Sequence, residues 1–567
     1  MRPLYEKYVG RSRDDFATLE DLQKNYKVTV GDDFNYSYDV VDVIAEEEPD
    51  KLAMLWVSNE GEEKRFTFGD LKKLSNQAAN FFKSQGIRKG DSVMLVLRRN
   101  YQFWYTMLAL HRIGAVAIPA THLLTAKDYI YRADAATVKM MVITADGDAT
   151  DHVNEARPQC KTVMAYAVDK HKDAGEGWLD YDALVAEQSD VFPRPTGDEA
   201  THSAEPMLMF FTSGTTGYPK MVWHDHTYPL GHILTGCFWH RVVNNGLHFT
   251  ISDTGWGKAL WGKIYGQWLG GSAVLTYDFD KFHAPDILSK MEKYGVTTFC
   301  APPTMYRYFI KEDLTQYDLS KLTHCTTAGE ALNPEVYNQW LRQTGLKIFE
   351  GFGQTETTLC ILNAYPWMQP RLGSMGLPSP GWRIVICDAN DEEVPAGVTG
   401  EICVRTDGGK PFGLFSGYYR DEELTKKAWH DDLYHTGDTA YKDELGFLWY
   451  VGRVDDVIKS SGYRIGPFEV ESALMEHPSV LECAVTGVPD PDRGFVVKAT
   501  IVLAKGYTGT PELTKELQNH VKHSTAPYKY PRIIEYVDEL PKTISGKIRR
   551  VEIRQNDMEK HQADKPK

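Results

Sequence analysis

The residues best suited to chemistry form one run, Thr212-Ser213-Gly214-Thr215-Thr216-Gly217-Tyr218-Pro219-Lys220, in which hydroxyls, glycines and a closing lysine follow an apolar segment. Glycine lets the backbone turn its N–H groups into a concavity, Thr and Ser hydroxyls add donors, and Lys220 adds a point charge. Such a run suits a polyphosphate. It departs from the G-x-x-x-x-G-K-[ST] loop that opens a helix. Met207 to Phe211 reads as a buried strand before it, Met221 to His224 as a short strand after it, and the nearest helix begins near Thr227. The backbone and Lys220, rather than a helix dipole, would then hold the anion. A surface turn has the same composition, so the rest of the chain has to decide.

Three further segments carry groups that a nucleotide would need. In Glu350-Gly351-Phe352-Gly353-Gln354-Thr355-Glu356 an aromatic ring with bare backbone on both sides can face a nucleobase, and Glu356 can take a magnesium ion that bridges phosphates. A turn with a half-buried Phe and a solvated Glu is the alternative. In His435-Thr436-Gly437-Asp438 the carboxylate of Asp438 can accept both hydroxyls of a ribose, although Asp in a turn is commonly an Asx cap. Lys547 closes the Ser-Gly-Lys turn of Pro541 to Arg550, a solvated tail or a tip that delivers a lysine to a distant site.

The elements that must position these groups follow from periodicity. Thr67 caps a helix with Leu71, Leu74, Ala78 and Phe81 at helical spacing, Gly86 ends it, and Val93 to Leu97 is a continuous apolar strand. Tyr105 to Ile113 then reads as helix before the strand Val116 to Ile118, and Ala284 to Lys293 as helix before Val296 to Cys300. This alternation predicts an α/β fold with parallel pairing. After about residue 370 shorter strands (Gly381–Cys387, Gly400–Arg405, Gly446–Val451) predict a β-rich subdomain. From Asp456 an α+β unit follows: helix Pro467–Met475, strands Val480–Val488 and Val496–Leu503, helix Pro511–Val521, and a last strand Arg532–Val537. The expected division is a large layered N-terminal domain, 1–454, and a small mobile C-terminal domain, 455–567, with a hinge near Asp455.

Composition narrows the partners. The 567 residues carry a formal charge of −15, which excludes a broad nucleic-acid surface, so anions must be held locally. The eight cysteines form no C-x-x-C pair and sit in apolar runs, as buried thiols do, predicting neither a disulfide nor a zinc site. No apolar stretch approaches the ~20 residues of a membrane span. Acidic residues at the N-terminus (Glu6, Asp14, Asp15) with no apolar signal core lead to the expectation of a cytoplasmic protein.

Taken together and in this order, the motifs resemble the adenylate-forming superfamily of acyl-CoA synthetases, adenylation domains and luciferases. The resemblance covers roughly residues 35 to 555. Asp253-Thr254-Gly255-Trp256, Ser460 to Pro467 and Thr525 to Pro531 look most like the medium-chain acyl-CoA synthetase branch. It implies ATP, Mg2+ and coenzyme A, and an acid activated as acyl-adenylate before transfer to CoA. Catalysis would fall to Lys547, Glu356 and Thr212. The nucleotide would meet Thr212 to Gly217, Lys220, Gly329, Glu330, Ala331, Glu350 to Thr355, Asp438, Arg453 and Lys547, with the metal on Glu356. CoA would meet Ser461, Gly462, Tyr463, Arg464, Arg493, Lys522 and Tyr530 after the C-terminal domain rotates at Asp455.

The acyl pocket implied by the resemblance is lined by Trp256, Gly329, Gly353 and Thr355. Acetate-specific relatives carry tryptophan where this chain has Gly353, so an open floor and a short or medium-chain or branched acid are expected. Trp256 works the other way: at the position where the family places a ring against the acyl group, its indole would shorten the cavity and favour short, branched or aryl acids, unless it is a core residue on a helix with Leu260 and Ile264. An aryl-CoA ligase, an amino-acid adenylation enzyme and a silent nucleotide-binding protein are the rival readings. A homodimer is left open.

Overall fold

The computed structural model describes residues 1–567 apart from 213–218, 331, 462, 492, 543–547 and 564–567; for Arg464 and residues 561–563 it describes the backbone alone. Helix Phe68–Ser84 starts where Thr67 and Asp70 cap each other: each side chain accepts the other's backbone N–H. Its inner face buries Leu71, Ala78 and Phe81 completely. The wholly buried strand Ser92–Val96 follows and pairs in parallel with Val116–Pro119 and Val138–Ile143. Between the first two lies helix Gln102–Ile113, ended by Gly114 at φ 70°. Buried indoles keep their N–H groups satisfied, as burial requires: Trp104 donates to the Lys263 carbonyl at 2.7 Å and Trp268 to that of Ala53 at 2.9 Å.

Among the described residues the strands form three sheets. An 8-stranded sheet runs, in spatial order, through 417–418, 220–225, 206–212, 116–119, 92–96, 138–143, 165–168 and 178–180. A 14-stranded sheet contains the parallel strands 247–250, 273–278, 298–300, 324–327 and 348–352. The β-rich region belongs to this same sheet. Antiparallel strands Ile361–Leu362 and Ser374–Pro378 carry it from Ile348–Phe352 to Leu448–Arg453, Leu433–Lys442, Gly400–Arg405 and Arg383–Cys387. Continuous pairing thus links strand Ile348–Phe352, through two short strands, to Leu448–Arg453 and Leu433–Lys442. The third sheet has five strands, with Gly494–Leu503 pairing Val480–Asp490 antiparallel and Ile533–Tyr536 parallel, covered by helices Pro467–Met475 and Pro511–Ser524. Its core of Val470, Leu474, Val485, Ile501, Leu517 and Val521 is separate from those of the N-terminal body.

Candidate active site

The strand–loop–strand reading of the first motif matches the stem. Strands Pro206–Thr212 and Lys220–Asp225 are antiparallel, and the ladder closes with Thr212 opposite Lys220. Ser213, Gly214, Thr215, Thr216 and Gly217 lie outside the described residues. On the stem's other side Gly417–Tyr418 pairs with Val222 and Trp223. The Lys220 ammonium lies 5.2 Å from the centre of the Tyr418 ring, and the Tyr418 hydroxyl donates to Glu356 Oε1 at 3.0 Å. One tyrosine therefore joins the stem to the carboxylate singled out for magnesium. Burial raises the pKa of Glu356, against lowering by its backbone and Tyr418 hydrogen bonds and by the charges of Lys220 and Arg453. A desolvated carboxylate that among the described residues has Tyr418 as its side-chain donor fits a hard divalent cation, which would restore the charged form.

Asp438 was expected in a turn. It instead lies in strand Leu433–Lys442, directly opposite Arg453. The strand places it at the centre of a polar knot, 5% exposed. Its carboxylate accepts from the Tyr450 hydroxyl at 3.1 Å, from Arg453 at 3.2 Å and from the Gln354 amide. Gln354 also donates to the Thr436 carbonyl at 2.8 Å and accepts from the Tyr434 hydroxyl at 3.0 Å. Phe352, half-buried, packs its ring 6.4 Å from that of Tyr450. Glu350 is buried behind these residues and accepts the Leu332 N–H at 3.0 Å; burial pushes its pKa up to about 8. Gly329 and Glu330 are exposed, Glu330 accepting from Thr304 at 2.9 Å, and Ala331 lies outside the described residues.

The expected open floor at Gly353 is corrected. A Cβ there would lie 2.5 Å from Cη2 of Trp261 and would overlap the Thr358 carbonyl oxygen. The indole of Trp261, 7% exposed, already occupies this ground. Gln267 holds its carbonyl at 3.0 Å and Tyr228 is hydrogen-bonded to its ring. Trp256 caps the short helix Gly257–Gly262 and is partly buried, whereas Leu260 and Ile264 are fully in the core. The shared helical face of Trp256 and Ile264 does not form, because the helix stops at Gly262. His224 donates from Nε2 to the Thr355 carbonyl at 2.8 Å, fixing the segment between Gln354 and Glu356.

The residues assigned to CoA fall into two groups in the C-terminal unit. Arg493 reaches the Ser461 hydroxyl at 3.3 Å, and the Ser461 N–H bonds the Arg493 carbonyl at 2.9 Å. Lys522 stands 4.0 Å from the centre of the Tyr530 ring. Tyr463, exposed, bridges towards the second group by stacking on Tyr528 at 4.1 Å and 17°. Gly462, the side chain of Arg464, and Lys547 lie outside the described residues; Lys542 and Ile548, which flank Lys547, form an antiparallel bridge. Asp455 is exposed, while Asp456 is held by Arg554. Tyr418, Tyr450, Trp261 and His224 escaped the sequence reading, and Tyr434 entered it only as the first residue of a motif. Their partners lie 62 positions away for Tyr418 with Glu356 and 131 for His224 with Thr355, so no local spacing marks them.

Comparison with known proteins agrees with this geometry. Residues 41–419 match the AMP-binding enzyme family, and residues 469–547 match the AMP-binding enzyme C-terminal domain. The chain is 39% identical to the mouse (Mus musculus) acyl-coenzyme A synthetase ACSM3, mitochondrial, over 98% of this chain and 96% of that protein. It is 42% identical to the human (Homo sapiens) acyl-coenzyme A synthetase ACSM5, mitochondrial, over 92% and 90% of the two. The solved structure of the anthranilate CoA ligase AuaEII with anthranoyl-AMP superposes with a TM-score of 0.85 at 27% identity, over 94% of this chain and 99% of that one. A Brucella canis acyl-CoA synthetase gives 0.72 at 30% identity, over 96% and 99%. These relatives overturn the cytoplasmic expectation, since the matched synthetases are mitochondrial. The acidic residues behind that expectation have local roles: Glu6 lies in the first turn of helix Tyr5–Val9, and Asp15 accepts the Ser12 N–H at 2.9 Å, so their types reflect helix capping rather than an address.

Proposed function

The chain belongs to the AMP-binding enzyme family, as an acyl-CoA synthetase, and on that premise we propose that it activates a short or medium-chain or branched carboxylic acid as its acyl-adenylate. The acid oxygen attacks the α-phosphate of ATP and pyrophosphate leaves; the CoA thiol then attacks the acyl carbon and AMP leaves. A carboxylate is a poor electrophile because attack adds charge to an anion, and the mixed anhydride removes that obstacle. Phosphoryl transfer of this kind rests on positioning and electrostatics.

In this reading Thr212 to Lys220 hold the β- and γ-phosphates, Phe352 and Gln354 lie along the base, and Asp438 with Arg453 takes the ribose. Magnesium, held by Glu356, would neutralise charge on the phosphates. Lys547 would approach the reacting α-phosphate from the C-terminal domain, 455–567, and withdraw when that domain turns about Asp455. The face of Ser461, Tyr463 and Arg493 would then serve CoA together with Lys522 and Tyr530. The observation that carries the proposal is convergence. Lys220, Gln354, Glu356, Tyr418, Asp438 and Arg453, from five separate segments, meet in one hydrogen-bonded and charge-coupled group.

An aryl acid is the second reading, favoured by the superposition on an anthranilate CoA ligase. ATP–pyrophosphate exchange with acids from acetate to decanoate, plus branched and aryl acids, decides between them and tests both. Exchange with none of them would refute the enzyme reading. Lys547→Ala should abolish exchange while leaving thioester formation from supplied acyl-adenylate; loss of both would refute the two-conformation scheme.

A further inference from the structure

Alternation along strand Leu433–Lys442 sends Tyr434 and Asp438 to the nucleotide knot and His435 to the opposite face. There His435 meets a group that the synthetase chemistry does not use. Its Nδ1 lies 3.2 Å from Glu401 Oε2, and the other oxygen of Glu401 accepts the Gly437 N–H at 2.8 Å. Its Nε2 is shielded from solvent and has no hydrogen-bond partner among the described residues. Asp391 Oδ1 lies 3.6 Å from that nitrogen, and the His430 ring centre lies 4.7 Å from that of His435. One ligand atom from each of Asp391, His430 and His435 lies within 4.8 Å of the others.

These distances have a chemical meaning. A separation of 3.6 Å is too long for a hydrogen bond. It is close to the ~3.3 Å between two ligands that each stand ~2.0–2.1 Å from a tetrahedral zinc ion. A carboxylate that holds the far imidazole nitrogen is the arrangement that orients a metal-bound histidine and raises its basicity. Glu401 has that place. Two imidazoles and one carboxylate select a borderline transition metal over magnesium, which prefers oxygen ligands and retains its waters. Cys403 Sγ lies 3.5 Å from Nδ1, on the Glu401 side, and so cannot share an ion with Nε2.

We propose that Asp391, His430 and Nε2 of His435 form a binding site for one divalent transition-metal ion of the zinc type, with water completing the shell. The ion would tie the turn at Asp391 to the hairpin Trp429–Leu433 and to the strand that carries Asp438. It acts on the nucleotide site from behind, as a clasp rather than a participant in the reaction. The competing occupant of Nε2 is a proton, because Glu401 and Asp391 both favour the imidazolium of His435.

The test uses the full chain without an affinity tag, stripped with a chelator and desalted. Zn2+ is titrated by calorimetry, and Co2+ by the visible spectrum of a tetrahedral ion. The expected result is one saturable equivalent, weakened at least about tenfold in Asp391→Asn and in His430→Asn, and about 10–100-fold in Glu401→Gln. Asp391 and His430 are 40% and 38% exposed at their side chains, so both variants should melt as the wild type does without metal. Absence of saturable binding, or binding unchanged in both variants, overturns the proposal and leaves the proton as occupant. Zinc should also raise the melting temperature of the wild type and not that of the variants.

Discussion

If Trp261 sets the depth of the acyl pocket, replacing it should change chain-length selection without touching the nucleotide site. The indole reaches to 2.5 Å from the position a Cβ would take on Gly353, while Asp438 and Gln354 are bonded to other partners. Trp261→Leu removes about six ring atoms, room for roughly three or four methylene groups at about 0.8 kcal/mol each. That is about 2.4–3.2 kcal/mol, or roughly 50–200-fold at 1.36 kcal/mol per decade. The substitution also leaves a cavity in the free protein, with a stability loss of about 2–5 kcal/mol, so the reading must be a ratio. We expect kcat/KM for octanoate relative to butanoate, from ATP–pyrophosphate exchange, to rise by roughly 50–200-fold, with KM for ATP unchanged within about twofold. A folded variant whose octanoate-to-butanoate ratio stays within twofold of wild type would show that the indole is core and not pocket. Gly353→Ala supplies the control: its methyl would collide with the Thr358 carbonyl and Trp261, so it should lower stability and should not lengthen the preferred acid.

Asp438→Ala removes the acceptor shared by Gln354, Tyr450 and Arg453; KM for ATP should rise roughly 10–100-fold, by about 1.5–3 kcal/mol per charged hydrogen bond lost, measured in the exchange assay at constant acid. Glu350 binds a proton in the folded state up to about pH 8 but only to about 4.5 when unfolded, so the folded state holds more protons in between and stability should fall as pH rises across that window. Glu350→Gln should flatten this slope, seen as a wild-type-minus-variant difference in Tm that declines from pH 5 to pH 8. Lys498 is 4% exposed and lies between Glu535, at 2.5 Å, and Asp557; Lys498→Met strands two carboxylates, a loss of about 3–5 kcal/mol, and should speed hydrogen exchange in helix Arg550–Ala563 before the rest of the chain. Thr67→Ala removes one half of the capping box of helix Phe68–Ser84 and should lower urea stability by about 1 kcal/mol.

What was legible in the sequence was what depends on neighbours in the chain. Thr67 with Asp70, the buried strand before Thr212, and the helix at Pro467–Met475 are each specified within a few residues, and the structure has them there. Asp438 shows the limit. Gly437 beside it suggested a turn, yet the strand continues because Glu401 takes the Gly437 N–H and Arg453 pairs opposite. Neither partner can be found from local spacing. The floor at Gly353 failed for the same reason: a missing side chain at one position says nothing about an indole delivered from 92 residues earlier in the chain. Families of motifs identify the nucleotide chemistry well because ATP imposes the same groups each time. The acyl pocket is defined by volume, which only packing supplies.

The register of one hairpin also bears on how the two proposed half-reactions would be coupled. Arg453 ends strand Leu448–Arg453 opposite Asp438, and the next N–H, that of Val454, donates to the Gly437 carbonyl at 2.9 Å. Asp456 N–H then turns back to the Arg453 carbonyl at 3.0 Å. The ladder that carries Asp438, the proposed ribose group, therefore runs from Arg453 to the residue before Asp455. In the proposed scheme a rotation that begins at Asp455 would leave Asp438, Gln354 and Arg453 in place, so the adenylate would stay bound while the C-terminal unit exchanged one face for another. A rotation that began two residues earlier would pull Arg453 out of the knot and release the intermediate. Proline at 455 tests this placement. It should slow thioester formation from supplied acyl-adenylate far more than ATP–pyrophosphate exchange, because it restricts φ at the pivot, and equal slowing of both steps would place the pivot elsewhere.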